Sequence, residues 1–106
     1  MKIYVIEKNS FLDDGTREVP EEVCEIVEEA GAFEDANDAF NAIFPILEKD
    51  VKEVTDGCDY AVVSDMKSVN VDGDRHVEVR VEDGYRYDVQ EFYYRVVELE
   101  LNRKEA

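Results

Sequence analysis

The sequence predicts an α+β domain: an N-terminal strand, two helices, then a mainly antiparallel sheet of three to four strands. Three observations carry this. Ala36, Ala39, Phe40, Ile43, Phe44, Leu47, Val51 and Val54 recur three and four residues apart, which is one apolar stripe on a helix. Beyond Thr55-Asp56-Gly57 the period shortens to two, the spacing of half-buried strands. Hydrophobic residues make up 44% of 106, enough for one modest core, so residues 1–106 form a single domain.

Lys2 to Glu7 reads as the first strand, because Ile3, Tyr4, Val5 and Ile6 are strand formers in a continuous run. Asn9 to Thr16 reads as a loop around Asp13-Asp14-Gly15. Pro20 suits a helix's first turn, and Val23, Ile26, Val27 and Ala30 then keep helical spacing until Gly31 ends it. Asp35 stands before the Ala36–Val54 stripe as an N-cap. Pro45 inside that stripe is expected to kink or split the helix.

Tyr60 to Ser64 reads as a short strand. Lys67 to Val71 and Arg75 to Glu82 form a hairpin about Asp72-Gly73. Val69, Val71, Val77, Val79 and Val81 share one face only if that loop holds an odd number of residues, so a three- or five-residue loop with a bulge near Gly73 is expected. At Asp83-Gly84 an odd loop puts Tyr85, Tyr87 and Val89 on the core face with Val81. A two-residue loop turns both tyrosines outward, as partner-binding candidates. Asp88 to Asn102 fits either a capped helix or a strand. The run Phe-Tyr-Tyr-Arg-Val-Val and the alternation after it favour a strand over Phe92–Leu101. The expected core is Ile3, Val5, Val23, Val27, Phe40, Ile43, Leu47, Val62, Val79 and Val97.

The net charge is −16, against roughly 2–8 in magnitude for a comfortable small-domain surface. That excess opposes binding to phosphates or anionic membranes and favours either a basic protein partner or simply high solubility. Met1–Ser10 lacks a signal-peptide run and no stretch reaches membrane-span length, which implies a cytoplasmic protein. Cys24 and Cys58 are expected reduced, buried and inert.

No enzyme motif stands out, and no catalytic residue, metal or cofactor is expected. His76, the only histidine, alternates with Val77 and Val79 and should face solvent. Asn70, Asp72 and Asp74 begin like a calcium loop, but Arg75 occupies the position that needs glycine.

The acids are more patterned. Between Glu7 and Asp38 there are twelve, against Lys8 and Arg17 alone. On the expected first helix, Glu21, Glu22, Glu25, Glu28 and Glu29 share one face, with turns spaced roughly like backbone phosphates in a nucleic acid. Asp13, Asp14, Glu34 and Asp35 flank this row. A solvated helix face explains most such rows, yet here no lysine balances it.

A short, strongly acidic α+β chain with such a row resembles the small inhibitors that phages and mobile elements direct against host nucleases, the anti-CRISPR and anti-restriction proteins of the nucleic-acid-mimic type. The resemblance rests on size, charge and the Glu21–Glu29 row. It implies a basic partner, a nucleic-acid-binding nuclease or effector whose groove these acids occupy, with Tyr85 and Tyr87 as possible anchors. Two other functions fit the same residues: an acidic accessory domain that binds protein without inhibiting it, and a small ligand-binding domain or enzyme.

Overall fold

The computed structural model describes residues 2–13, 21–56, 61–84 and 88–100. They form β1 (Lys2–Asp13), β2 (Glu21–Ile26), a single 3-10 turn (Glu28–Ala30), α1 (Ala36–Thr55), β3 (Ala61–Val71), β4 (Asp74–Asp83) and β5 (Asp88–Glu100). The five strands make one sheet in the order β2-β1-β5-β4-β3, and every neighbouring pair is antiparallel. The chain is α+β, with one α-helix and five strands in place of the two helices and three to four strands expected.

Helix α1 follows from its sequence. The Asp35 carboxylate accepts hydrogen bonds from the backbone N–H of Asn37 (2.7 Å) and Asp38 (3.4 Å), satisfying donors that a helix start leaves free. The stripe buries Ala39, Phe40, Ile43 and Leu47. Pro45 leaves the helix as one continuous element. It sits on the exposed side, where the carbonyl it cannot bond is left to solvent.

The helix covers one face of the sheet. There Ile6 of β1, Phe92 and Tyr94 of β5, and Val77, Val79 and Val81 of β4 meet the helix stripe, joined by Val27. The register places Val77 opposite Tyr94 and Val79 opposite Phe92, so large and small side chains alternate across the strands. The other face is open. It carries cross-strand ion pairs, Glu7 with Arg95 at 2.8 Å and Arg80 with Glu91 at 3.5 Å.

Several expectations are overturned, each by strand pairing. Residues 21–30 are not a helix: Glu21–Ile26 pairs with Leu12–Glu7 of β1, and only the 3-10 turn remains helical. Val23, Cys24, Ile26 and Val27 suit a strand as well as a helix, and a neighbouring strand supplies hydrogen bonds that a short isolated helix lacks. Gly31 still ends the helical piece, with φ 76° and its N–H donating to the Glu28 carbonyl. Strand β1 runs on to Asp13, where a loop was expected from Asn9, because it is paired on both sides.

The separate strands expected at Tyr60–Ser64 and Lys67–Val71 are, over the described residues 61–71, one strand, β3, interrupted by a bulge at Ser64. The β3–β4 loop is the two-residue Asp72-Gly73, with Gly73 at φ 80° and Val71 opposite Asp74. Val69 and Val71 therefore lie on the face opposite to Val77, Val79 and Val81. Glu82 pairs with Val89, which puts Val89 on the open face, away from Val81. Asp88–Glu100 is a strand, as favoured.

Of the expected core, Val5, Val27, Phe40, Ile43, Leu47 and Val79 are buried, and Ile3 and Val97 half-buried. Val23 and Val62 are exposed: Val23 lies on an edge strand beyond the helix, and Val62, opposite Glu82, faces the open side of the sheet. Pro20, Cys58 and Tyr60 lie outside the described residues.

Phe40 tests the helix–sheet contact. Its ring is buried and meets Phe44 edge-on at 5.5 Å. Phe40→Ala is expected to lower stability by about 3–5 kcal/mol, measured by urea unfolding. An unchanged midpoint would place the ring at the surface and reject this packing.

Candidate functional site

The residue that organises the site is Asp50. It lies on the helix's apolar stripe, three residues after Leu47 and four before Val54, where an acid is costly unless partnered. Its partners come from two strands. The Tyr94 hydroxyl of β5 donates to Asp50 Oδ2 at 2.6 Å, and Lys8 Nζ of β1 lies 2.9 Å from the same oxygen. Both members of the ion pair are about one-seventh exposed or less. The Lys8 ammonium also sits 5.4 Å from the Phe92 ring centroid.

The Lys8–Asp50 pair of this cluster lines an open cleft of about 700 Å³ between α1 on one side and β2 with its 3-10 turn on the other. Glu25, Glu28 and Glu29 form one wall, and Ile46 and Asp50 the other. A shallower extension past Glu29 reaches Lys49 and Glu53. The register sets Glu25 directly opposite Lys8, yet the Lys8 ammonium is committed to Asp50.

Among the described residues, Glu25, Glu28 and Glu29 enter no ion pair. Several bases are engaged elsewhere: Lys2 with Glu98, Arg75 with Asp72, Arg80 with Glu82 and Glu91, Arg95 with Glu7. The segment 21–56 holds twelve acids against Lys49 and Lys52. The open sheet face, by contrast, pairs Arg80 and Arg95 with acids across strands. The cleft wall is thus a one-sided negative surface suited to an inserted ammonium or guanidinium.

The expected single row of Glu21, Glu22, Glu25, Glu28 and Glu29 does not exist. In a strand, positions 21, 23 and 25 fall on one side of the sheet and 22 and 24 on the other, so the helical spacing is lost. The structure brings Glu25, Glu28 and Glu29 together at the cleft. Glu21 and Glu22 open β2, opposite Leu12 and Phe11, and Asp13 ends β1 opposite Val89. Glu34 is exposed just after Phe33, which is clamped to Tyr4 by two backbone hydrogen bonds of 2.8 Å, and the Asp35 carboxylate is occupied as the helix cap. Asp14, Tyr85 and Tyr87 lie outside the described residues.

His76 and Cys24 also lie differently from expectation. His76 is buried on the open face, stacked on Tyr93 at 5.2 Å with Nδ1 2.6 Å from Asp74. Cys24 is exposed on β2. The cluster at Asp50 was missed altogether. The signal for it was present: Asp50 is an acid on the stripe that runs Ile43, Leu47, Val54. Among the described residues no group of three His, Cys, Asp or Glu side chains is placed to hold a metal ion, and no helix is long and apolar enough to cross a membrane.

Burial, and then the hydrogen bond to the Asp50 carboxylate, push the Tyr94 hydroxyl far above its ordinary 10.0. A pKa raised on folding contributes stability that is whole below the unfolded value and is lost above it. The folded state should therefore weaken above about pH 10, by about 1.4 kcal/mol per pH unit from this group. Tyr94→Phe is expected to cost about 1.5–3 kcal/mol at pH 7 and to remove that slope. Urea unfolding at pH 7, 10 and 11 measures both, and parallel losses in the two proteins above pH 10 would contradict the assignment.

No family model, curated protein or solved structure matches the chain.

Proposed function

We propose that this chain is an acidic protein-binding inhibitor that occupies the basic, nucleic-acid-binding groove of a nuclease or effector. One observation carries the reading: three glutamates, Glu25, Glu28 and Glu29, line a cleft and, among the described residues, enter no ion pair, while the arginines of the far face pair with acids on neighbouring strands. The contact differs from a phosphate-like helical row. A lysine or arginine of the partner enters between the 3-10 turn and α1, meets Glu25, Glu28 and Glu29, and lies near Asp50, already half-neutralised by Lys8. Glu53 extends the negative surface along the helix.

Two properties follow. Binding weakens steeply with salt, because exposed charges are screened beyond about 8 Å at physiological ionic strength. Nucleic acid competes with the chain for its partner, which an accessory domain docking elsewhere would not show.

The experiment captures protein from a cell extract on the immobilised chain at low salt, then adds salt or duplex DNA and RNA. Glu25→Lys with Glu28→Lys is expected to weaken capture several-fold or more, chiefly through slower association. Glu48→Lys with Glu100→Lys makes the same charge change at exposed sites outside the cleft, and capture should stay within about twofold. Undiminished capture by the first pair at low salt rejects the cleft as the contact. Capture that nucleic acid does not reverse rejects the decoy and favours an accessory protein-binding domain.

A further inference from the structure

Strand β3 is an edge of the sheet, bonded to β4 on one side, and among the described residues no strand pairs with its other side. Nine of its eleven residues are exposed. Val62, Val63, Met66 and Val71 are each about half exposed, four of the seven large apolar side chains that the described residues leave uncovered. In a chain of net charge −16 this strand is neutral, with Asp65 and Lys67 its only charges. A long, neutral, apolar edge presents free backbone N–H and C=O groups to another strand, and proteins ordinarily guard such edges. The guard here is slight: one bulge at Ser64 and one lysine.

We propose that β3 pairs with β3 of a second copy, antiparallel about a two-fold axis at Met66. The arrangement of charge selects this occupant and this register. With Met66 opposite Met66, Asp65 of each copy faces Lys67 of the other, giving two opposite-charge pairs on the open face. A register centred on Ser68 brings the two lysines into diagonal contact and pairs neither acid.

The global charge is arranged to permit it as well. The acidic β2 edge stands at the far end of the strand order from β3, four strand spacings away, or about 19 Å. In the two-fold dimer the two β2 edges lie outermost, nine spacings or about 43 Å apart, which is several screening lengths. Both acid-lined clefts remain open.

Sedimentation over a concentration series gives the mass, with 12.2 kDa for one chain and twice that expected at high concentration. Asp65→Lys and Lys67→Asp should each raise the dimer dissociation constant by about tenfold, since each turns two attractive pairs into repulsive ones. The double exchange should restore it. The two single changes move net charge in opposite directions, so a general charge effect would shift them oppositely. Met66→Cys under oxidation should yield a dimer whose linked peptide joins residue 66 to itself, and this readout stands even if a charge variant folds poorly. A mass of one chain across the series overturns self-pairing and leaves the edge to a strand of another protein. A dimer that ignores both single changes, or a cross-link joining other positions, overturns the register.

Discussion

One helix has to cover one face of a five-stranded sheet, and most of the molecule follows from that limit. Helix α1 has 20 residues, about 30 Å of length and about 10 Å of width. The outer strands of the sheet are four spacings apart, about 19 Å between axes. The helix therefore seals the centre, where Ile6, Val77, Val79, Phe92 and Tyr94 are almost fully buried, and leaves both edges wet. Val23 on β2, and Val63 and Met66 on β3, lie on the helix side of the sheet and are exposed for this one geometrical reason, whereas Ile26 and Val62 face the open side. Both surfaces proposed for binding lie at edges that the helix does not cover.

The seal is polar at one point. Asp50 would weaken an apolar stripe if left alone, but Tyr94 and Lys8 satisfy one of its oxygens from two adjacent strands. Such a cluster fixes how the helix lies over β1 and β5, since sliding it would strand a carboxylate and an ammonium in a half-dry site. It also commits Lys8, the register partner of Glu25, and so leaves the cleft wall negative. The same contact that orders the helix thereby shapes the electrostatics of the cleft.

Charge is divided between the two sides of the sheet. Bases on the open face stand in register with acids on neighbouring strands, where pairing is local and cheap. The segment from β2 through α1 concentrates its acids with few bases near them. Mutual repulsion there lowers stability, and the apolar centre under the helix offsets it. The cleft and the β3 edge occupy opposite ends of the strand order, so engagement of one leaves the other free.

By itself the sequence determined the elements whose cues are local. Asp35 and the stripe from Ala36 to Val54 specify α1 and its cap, Asp72-Gly73 marks a turn, and the strand formers after Phe92 specify β5. It also determined the excess of acid. Tertiary structure alone decided what residues 21–26 become, which face each valine of the β3–β4 hairpin takes, and where the glutamates gather. Spacings of three and four in Val23, Ile26, Val27 and Ala30 read as a helix, yet β-branched residues beside an unpaired strand gain more from that strand's hydrogen bonds than from one another. Loop parity depends on a single residue, and one residue reverses every side chain beyond it. A glutamate row exists only on the element that spaces it, so once that element became a strand, the position of the acids was set by β1 and α1, distant parts of the chain whose approach no local pattern records.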